Sequence, residues 1–222
     1  AAILAEKSGE LWVVPVKGIS SFEIEAAEPV VELGEKSDVV VADDGTVFAL
    51  SAERGEVVTV PVDHEGAPGD PSTAAVGELD LAERPSITSV GRTPVVLDRA
   101  AGFMTTPGGF RTEIQGAVDA VLQQASAETD AVALATPSAL VRVPLDGSEP
   151  TETSAGGAGT AAAPVWLRGC TYGAWAGSAT FIRECPGDAN DVNAPIEGAE
   201  NSASLTFRVN RDVIILNDVV DG

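Results

Sequence analysis

The chain has 222 residues, with 34 acidic against 13 basic side chains, a formal net charge of −21 at pH 7 and 44% hydrophobic residues. That length suits one large domain or two small ones, and the charge argues against nucleic acid and anionic membrane surfaces as partners. No apolar run approaches the roughly 20 residues that a helix needs to cross a bilayer, so no membrane insertion is expected. The chain begins "AAILAEKSGELWVV", inside a patterned segment and without a visible signal peptide, and reads as a piece of something longer.

Apolar and polar residues alternate at period two along most of the chain, which predicts strands. The N-terminal "AAILAEK-SG-ELWVVPV" reads as a hairpin. Next, "DVVVADDGTVFALSAERGEVVTVPVD" holds strand-like runs at 39–41, 46–50 and 57–62, separated by Asp44-Gly45 and Arg54-Gly55, as in a three-stranded meander. The pattern returns in "SITSVGRTPVVLDRAAGFMTTP", "AVLQQASAETDAVALATPSALVRVPLDG", "PVWLRGCTYGAWAGSATFIREC" and "SLTFRVNRDVIILNDVVDG". "TEIQGAVDAVLQQASAET" also carries helix formers, but the repeat register makes 120–125 a strand.

The second turn of each unit falls near Gly9, Gly55, Gly102, Ser138, Ser178 and Gly222, at intervals typical of propeller blades. The expected fold is all-β, a β-propeller-like array of small antiparallel meander sheets forming an incomplete ring. Its blade units lie near residues 1–18, 38–63, 86–107, 119–146, 164–186 and 203–222 of a single domain. Polar connections such as "DHEGAPGDPSTAAVGELD" would link the blades. Two β-sandwich domains are the alternative. Unless the N-terminal hairpin supplies closure, the ends leave raw strand edges open to edge-to-edge self-association.

Cys170 and Cys185 are the only cysteines. Gly177-Ser178 reads as a two-residue hairpin loop, and counting outward from it sets Trp175 opposite Thr180 and Cys170 opposite Cys185. Opposed antiparallel positions have Cα separations of about 4.5 or 5.5 Å, within disulfide range. A structural disulfide is therefore expected, with free buried thiols as the alternative, and it implies an extracellular or cell-surface location. A metal pair is poorly supported, because His64 is the only histidine.

The runs "FRVNRDVIILNDVVDG", "GELWVVPV" and "WLRGCTYGAWAG…FIRECPG" resemble the propeller-like N-terminal region of large actinobacterial surface proteins. Those proteins continue into Ig-like or fibronectin type III repeats. The resemblance implies a secreted or cell-envelope location and a structural or binding role, and it carries over no catalytic residue.

Direct signs of chemistry are few. His64 lies in a polar, glycine-rich connection and reads as a solvated loop residue. No nucleophile elbow or phosphate-cradling loop is visible. Asp188, Asn190, Asp191 and Asn193 offer closely spaced oxygen ligands and are weak calcium candidates, but they lack the full calcium-loop pattern and suit an Asx-rich turn equally well. Trp12, Trp166 and Trp175 sit in or beside patterned strands and read as core residues. No cofactor is implied. The expected role is a non-catalytic extracellular scaffold or binding module, with an unknown protein or cell-envelope ligand as partner. The alternatives are a glycan-active hydrolase or lyase on the same fold, or a calcium-dependent adhesion module.

Overall fold

The structure, a computed structural model, describes residues 1–185, 187, 191–199 and 202–219. It divides into two compact units, Ala1–Val118 and Asp119–Gly222. Both are built from small antiparallel meander sheets in which, with one exception in the second unit, neighbours in sequence pair.

In the first unit β1 (Ala2–Leu4), β2 (Glu10–Val13) and β3 (Val31–Glu32) form a three-stranded sheet, with two short 3-10 segments, Val16–Ser21 and Ile24–Ala26, between β2 and β3. Four strands make the second sheet: β4 (Asp38–Val41), β5 (Val47–Ser51), β6 (Glu56–Val60) and β7 (Ser72–Ala75). Four more make the third: β8 (Ser86–Val90), β9 (Thr93–Asp98), β10 (Phe103–Thr105) and β11 (Arg111–Glu113).

The β5 sequence "VFALS" is buried along its whole length, and its pleat explains why it is apolar on both sides. Val47 and Ala49 pack with Leu11, Val13 and Leu33 of the first sheet. Phe48 and Leu50 pack with Ile87, Val96 and Phe103 of the third. Across the ladder, Val60 and Val58 pair with Val47 and Ala49, while Val57 pairs with Leu50, so β6 divides its apolar side chains in the same way. A sheet sandwiched between two others has no solvent face, and its inner strands lose their polar alternation.

The second unit repeats the plan. Its first sheet is β12 (Val121–Leu122), β13 (Ala131–Ala135), β14 (Ala139–Pro144) and β15 (Thr151–Ser154). Its next sheet comprises β16 (Thr160–Ala161), β17 (Val165–Leu167), β18 (Cys170–Ala176), β19 (Thr180–Glu184) and β20 (Val192–Pro195), with β16 and β17 both pairing β18. A hairpin of β21 (Ser204–Asn210) and β22 (Val213–Val219) follows.

The strand expected over 120–125 is shorter than its pattern suggests. Only Val121 and Leu122 pair with β13, after a 3-10 turn at Ala117–Asp119. The Gln123 amide still bonds the Ala133 carbonyl at 3.0 Å, but the Gln124 amide turns to Pro164 and the ladder ends there. The Gln123 side chain is buried and well used: Oε1 accepts the Ala133 amide and the Trp166 indole N–H, each at 2.6 Å, and Nε2 donates to Ser126 Oγ at 2.8 Å.

One hydrogen bond recurs through both units. The amide just after an outer strand donates to the carbonyl of the turn that leads into the neighbouring inner strand. The pairs are Leu33 to Gly9 (2.8 Å), Val76 to Gly55 (2.8 Å), Ile114 to Gly102 (2.9 Å), Ala155 to Ser138 (2.7 Å) and Ile196 to Ala179 (2.7 Å). This bond closes one end of every sheet except the β21–β22 hairpin. The turn expected at Gly222 lies outside the described residues.

The outer strands β7, β11 and β15 are mostly solvent-exposed and carry small or polar side chains, while β20 alternates half-buried and exposed positions. Main-chain ladders to the third strands hold them. Polar outer strands are a usual means of keeping sheet edges from pairing with other chains.

Candidate functional site: a disulfide-braced apolar cleft

The β18–β19 register sets Trp175 opposite Thr180 and Thr171 opposite Glu184, and Cys170 and Cys185 continue it as a disulfide with a Cα separation of 4.2 Å. The tip differs from a plain two-residue loop: Gly177 has φ 83° and Ala179 also takes a positive φ of 52°. Strand pleating puts Cys170 on the same sheet face as Tyr172, and Cys185 on the same face as Arg183 and Phe181. The covalent link therefore fixes the two strands that carry Tyr172 and Phe181, whose ring centroids are 6.1 Å apart.

These rings line a cleft with a volume of about 510 Å³ inside the second unit. Ala194 and Pro195 of β20 form one wall, and Phe207, Ile214 and Leu216 of the hairpin form the other. The hairpin presents these residues together because Phe207 pairs with Leu216 across β21–β22, and Ile214 lies two residues from Leu216 on the same face. Beneath them the core continues through Ala174, Ala176 and Leu205. At the mouth Arg168 donates to Asp212 at 2.7 Å, the cleft's one ion pair among the described residues. Both partners are well exposed, so the pair orients the rim more than it stabilises the fold.

The other residues singled out from sequence lie elsewhere or serve the fold. Asp191 accepts the Cys185 amide at 3.0 Å, and Asn193 sits on β20 and donates to the Ser154 carbonyl at 3.1 Å. Asp188 and Asn190 lie outside the described residues. Glu184, beside the disulfide, has its carboxyl pushed up by burial, opposed by a hydrogen bond from Thr153 and reinforced by Asp191. His64 is exposed in a turn ordered by Asp63, which accepts the Glu65 and Ala67 amides at 2.9 Å each.

All three tryptophans are buried, and each indole N–H has an acceptor. Trp12 donates to the Ala27 carbonyl (3.1 Å), Trp166 to Gln123, and Trp175 to the Thr136 carbonyl (2.7 Å). Tyr172, Phe181, Phe207, Arg168 and Asp212 were not singled out from sequence. The available signal was the period-two spacing that puts Tyr172 on the face of Cys170.

No protein-family model matches the chain, and no curated protein sequence matches it. Among solved structures, BamB from Moraxella catarrhalis aligns with a TM-score of 0.52 at 16% identity, over 98% of this chain and 66% of BamB. A catalytically inactive virginiamycin B lyase from Staphylococcus aureus, solved with quinupristin, aligns with a TM-score of 0.51 at 13% identity, over 81% of this chain and 61% of the lyase. The chain thus spans less than two thirds of either protein. At such identities the likeness concerns architecture alone. Small antiparallel meanders with doubly buried inner strands, matched by these structures, give the chain a β-propeller-type fold.

Proposed function

We propose that the chain is a non-catalytic binding module of an exported bacterial protein, and that its cleft receives an aromatic or branched apolar side chain of a protein partner. The observation that carries this reading is the composition of the cleft: Leu167, Tyr172, Phe181, Phe207, Ile214 and Leu216 line it, and Arg168 and Asp212 stand at its mouth. A site of about 510 Å³ with apolar walls and few polar groups suits one or two apolar side chains. A partner's main chain would meet the Arg168–Asp212 pair. The Cys170–Cys185 bond supports an oxidising compartment. The resemblance of the "RVNRDVIILND" run to actinobacterial surface proteins agrees with a cell-envelope or secreted setting.

The test is an NMR titration of labelled protein with N-acetylphenylalaninamide and, separately, with a mixture of oligosaccharides. The proposal expects saturable shifts at Tyr172, Phe181, Phe207 and Leu216 with the amide, their loss in the cleft-filling variant Ala194→Trp, and no conversion of any sugar. Sugar turnover, or amide-induced shifts that persist in Ala194→Trp, would favour the glycan-active alternative or remove the cleft from the reading.

A further inference from the structure

Few cations are available in this chain: ten arginines and three lysines, Lys7, Lys17 and Lys36, against 34 carboxylates. Each should find an acid easily. Yet Lys7, Lys36 and Arg84 converge on a cavity of about 480 Å³ in the first unit, with Glu6 and Glu35 as its other lining residues. Only Arg84 is neutralised: its guanidinium meets Glu6 Oε1 at 3.0 Å. Among the described residues neither Lys7 nor Lys36 makes an ion pair.

Strand direction explains the convergence. Successive antiparallel strands put the β1–β2 turn, the 33–37 connection and the 76–85 connection at one end of their sheets. The Leu33 amide, bonded to the Gly9 carbonyl, ties the first of these to the second. Arg84 ties the third to the second by donating to the Ser37 carbonyl at 2.6 Å, and Lys36 donates back to the Leu81 carbonyl. Main-chain acceptors thus position Arg84 and Lys36, and the one on Lys36 does so without cancelling its charge.

A guanidinium has five N–H donors and an ammonium three. Arg84 spends donors on Glu6 and Ser37, and Lys36 on Leu81. Among the described residues Lys7 has no hydrogen bond. Most donors around the cavity are therefore free for an acceptor ligand.

We propose that this cavity is a binding site for a small, multiply charged oxyanion, a phosphate- or polycarboxylate-bearing molecule, with Arg84 as the fixed hydrogen-bonding fork, Lys36 as a positioned ammonium and Lys7 as a flexible point charge. Fork geometry suits two oxygens of one carboxylate or phosphate. The acidic surface around the site disfavours long acidic polymers and favours a compact anion whose contacts are short-ranged, because repulsion from distant carboxylates is screened within about 10 Å at moderate salt. The site lies in the first unit and does not rest on the cleft of the second.

The experiment is a calorimetric titration of the intact chain with inorganic phosphate and with citrate at about 0.1 M ionic strength, where the more distant carboxylates are screened. Saturable binding in the roughly millimolar range is expected for at least one of them. Binding of both assigns a general oxyanion site, and binding of citrate alone assigns a polycarboxylate site. Lys7→Ala should weaken binding about tenfold, as expected for one partly solvated charge pair, and Lys7→Arg should restore it. Lys7 is exposed and unbonded, so its removal leaves the fold intact. The control is Lys17→Ala, which changes net charge equally but lies outside the cavity and should leave affinity unchanged. Absence of saturable binding by both anions, or equal weakening by Lys7→Ala and Lys17→Ala, overturns the proposal.

Discussion

Alanine in place of Gly9 or Gly55 should be far more damaging than alanine in place of Gly102, although the three glycines occupy the same position in successive sheets. All three lie at positive φ (71°, 61° and 75°), so each substitution carries the same local cost of about 1–2 kcal/mol for an L side chain in the left-handed region. The surroundings differ. A Cβ at Gly9 would stand 2.1 Å from the Gly34 carbonyl oxygen, and one at Gly55 would stand 2.1 Å from that of Gly77. At Gly102 the nearest atom is the Ile114 carbonyl oxygen at 3.9 Å. Contacts of 2.1 Å with main chain cannot be relieved by turning a side chain. The outer strand must move away, which breaks the bond from Leu33 or Val76 and leaves a buried main-chain group unpaired, for about 1–3 kcal/mol more. Gly9→Ala and Gly55→Ala should therefore cost about 2–5 kcal/mol, and Gly102→Ala about 1–2 kcal/mol. Urea unfolding followed by far-UV circular dichroism reads these differences. Equal losses at Gly55 and Gly102 would refute the claim that close approach of the outer strand, and not backbone conformation alone, demands glycine there.

Two further predictions concern the disulfide and a buried acid. Replacing both Cys170 and Cys185 by serine opens a loop with a sequence separation of 15 residues and should lower the unfolding free energy by about 3 kcal/mol, with the Tyr172 and Phe181 resonances broadening first; a loss below about 1 kcal/mol would show that the β18–β19 ladder alone holds the cleft. Asp38 accepts the Ile87 and Val39 amides, but burial pushes its carboxyl above the ordinary aspartate value of 3.8, against the pull of those bonds and of Arg84 and Arg99. Its folded form thus binds a proton more readily than its unfolded form, and the stability this confers is present below pH 3.8 and lost as pH rises through the raised value. Compared with Asp38→Asn, which does not titrate, the wild type should lose relative stability across that window; a wild-type advantage that grows with pH would contradict the burial argument.

How much of this could be read in advance depended on which side chains packing constrains. The inner strands β5, β9 and β13 must fill space on both faces, so "VFALS", "TPVVLD" and "AVALA" announce themselves as apolar runs. The fourth strands do not. Ser72–Ala75, Thr151–Ser154 and Val192–Pro195 lie within stretches that read as polar connections, because an exposed edge strand is held by its main chain and leaves its side chains free to be polar. The Cys170–Cys185 pairing was legible because one turn sets the whole β18–β19 register. The cleft was only half legible. Tyr172 and Phe181 share a face by local alternation, whereas their meeting with Phe207, Ile214 and Leu216 depends on packing between sheets. The cluster of Lys7, Lys36 and Arg84 was not legible at all, since three connections far apart in sequence bring it together.

The same main-chain bond closes five of the sheets at one end and positions both sites, and amide hydrogen exchange measures that bond directly. Leu33, Val76, Ile114, Ala155 and Ile196 donate it, and their amides should exchange as slowly as those inside β5 and β13. Exchange of these five amides at the rate of an unprotected peptide would contradict the repeated closure of the meander sheets, and with it the placement of both sites.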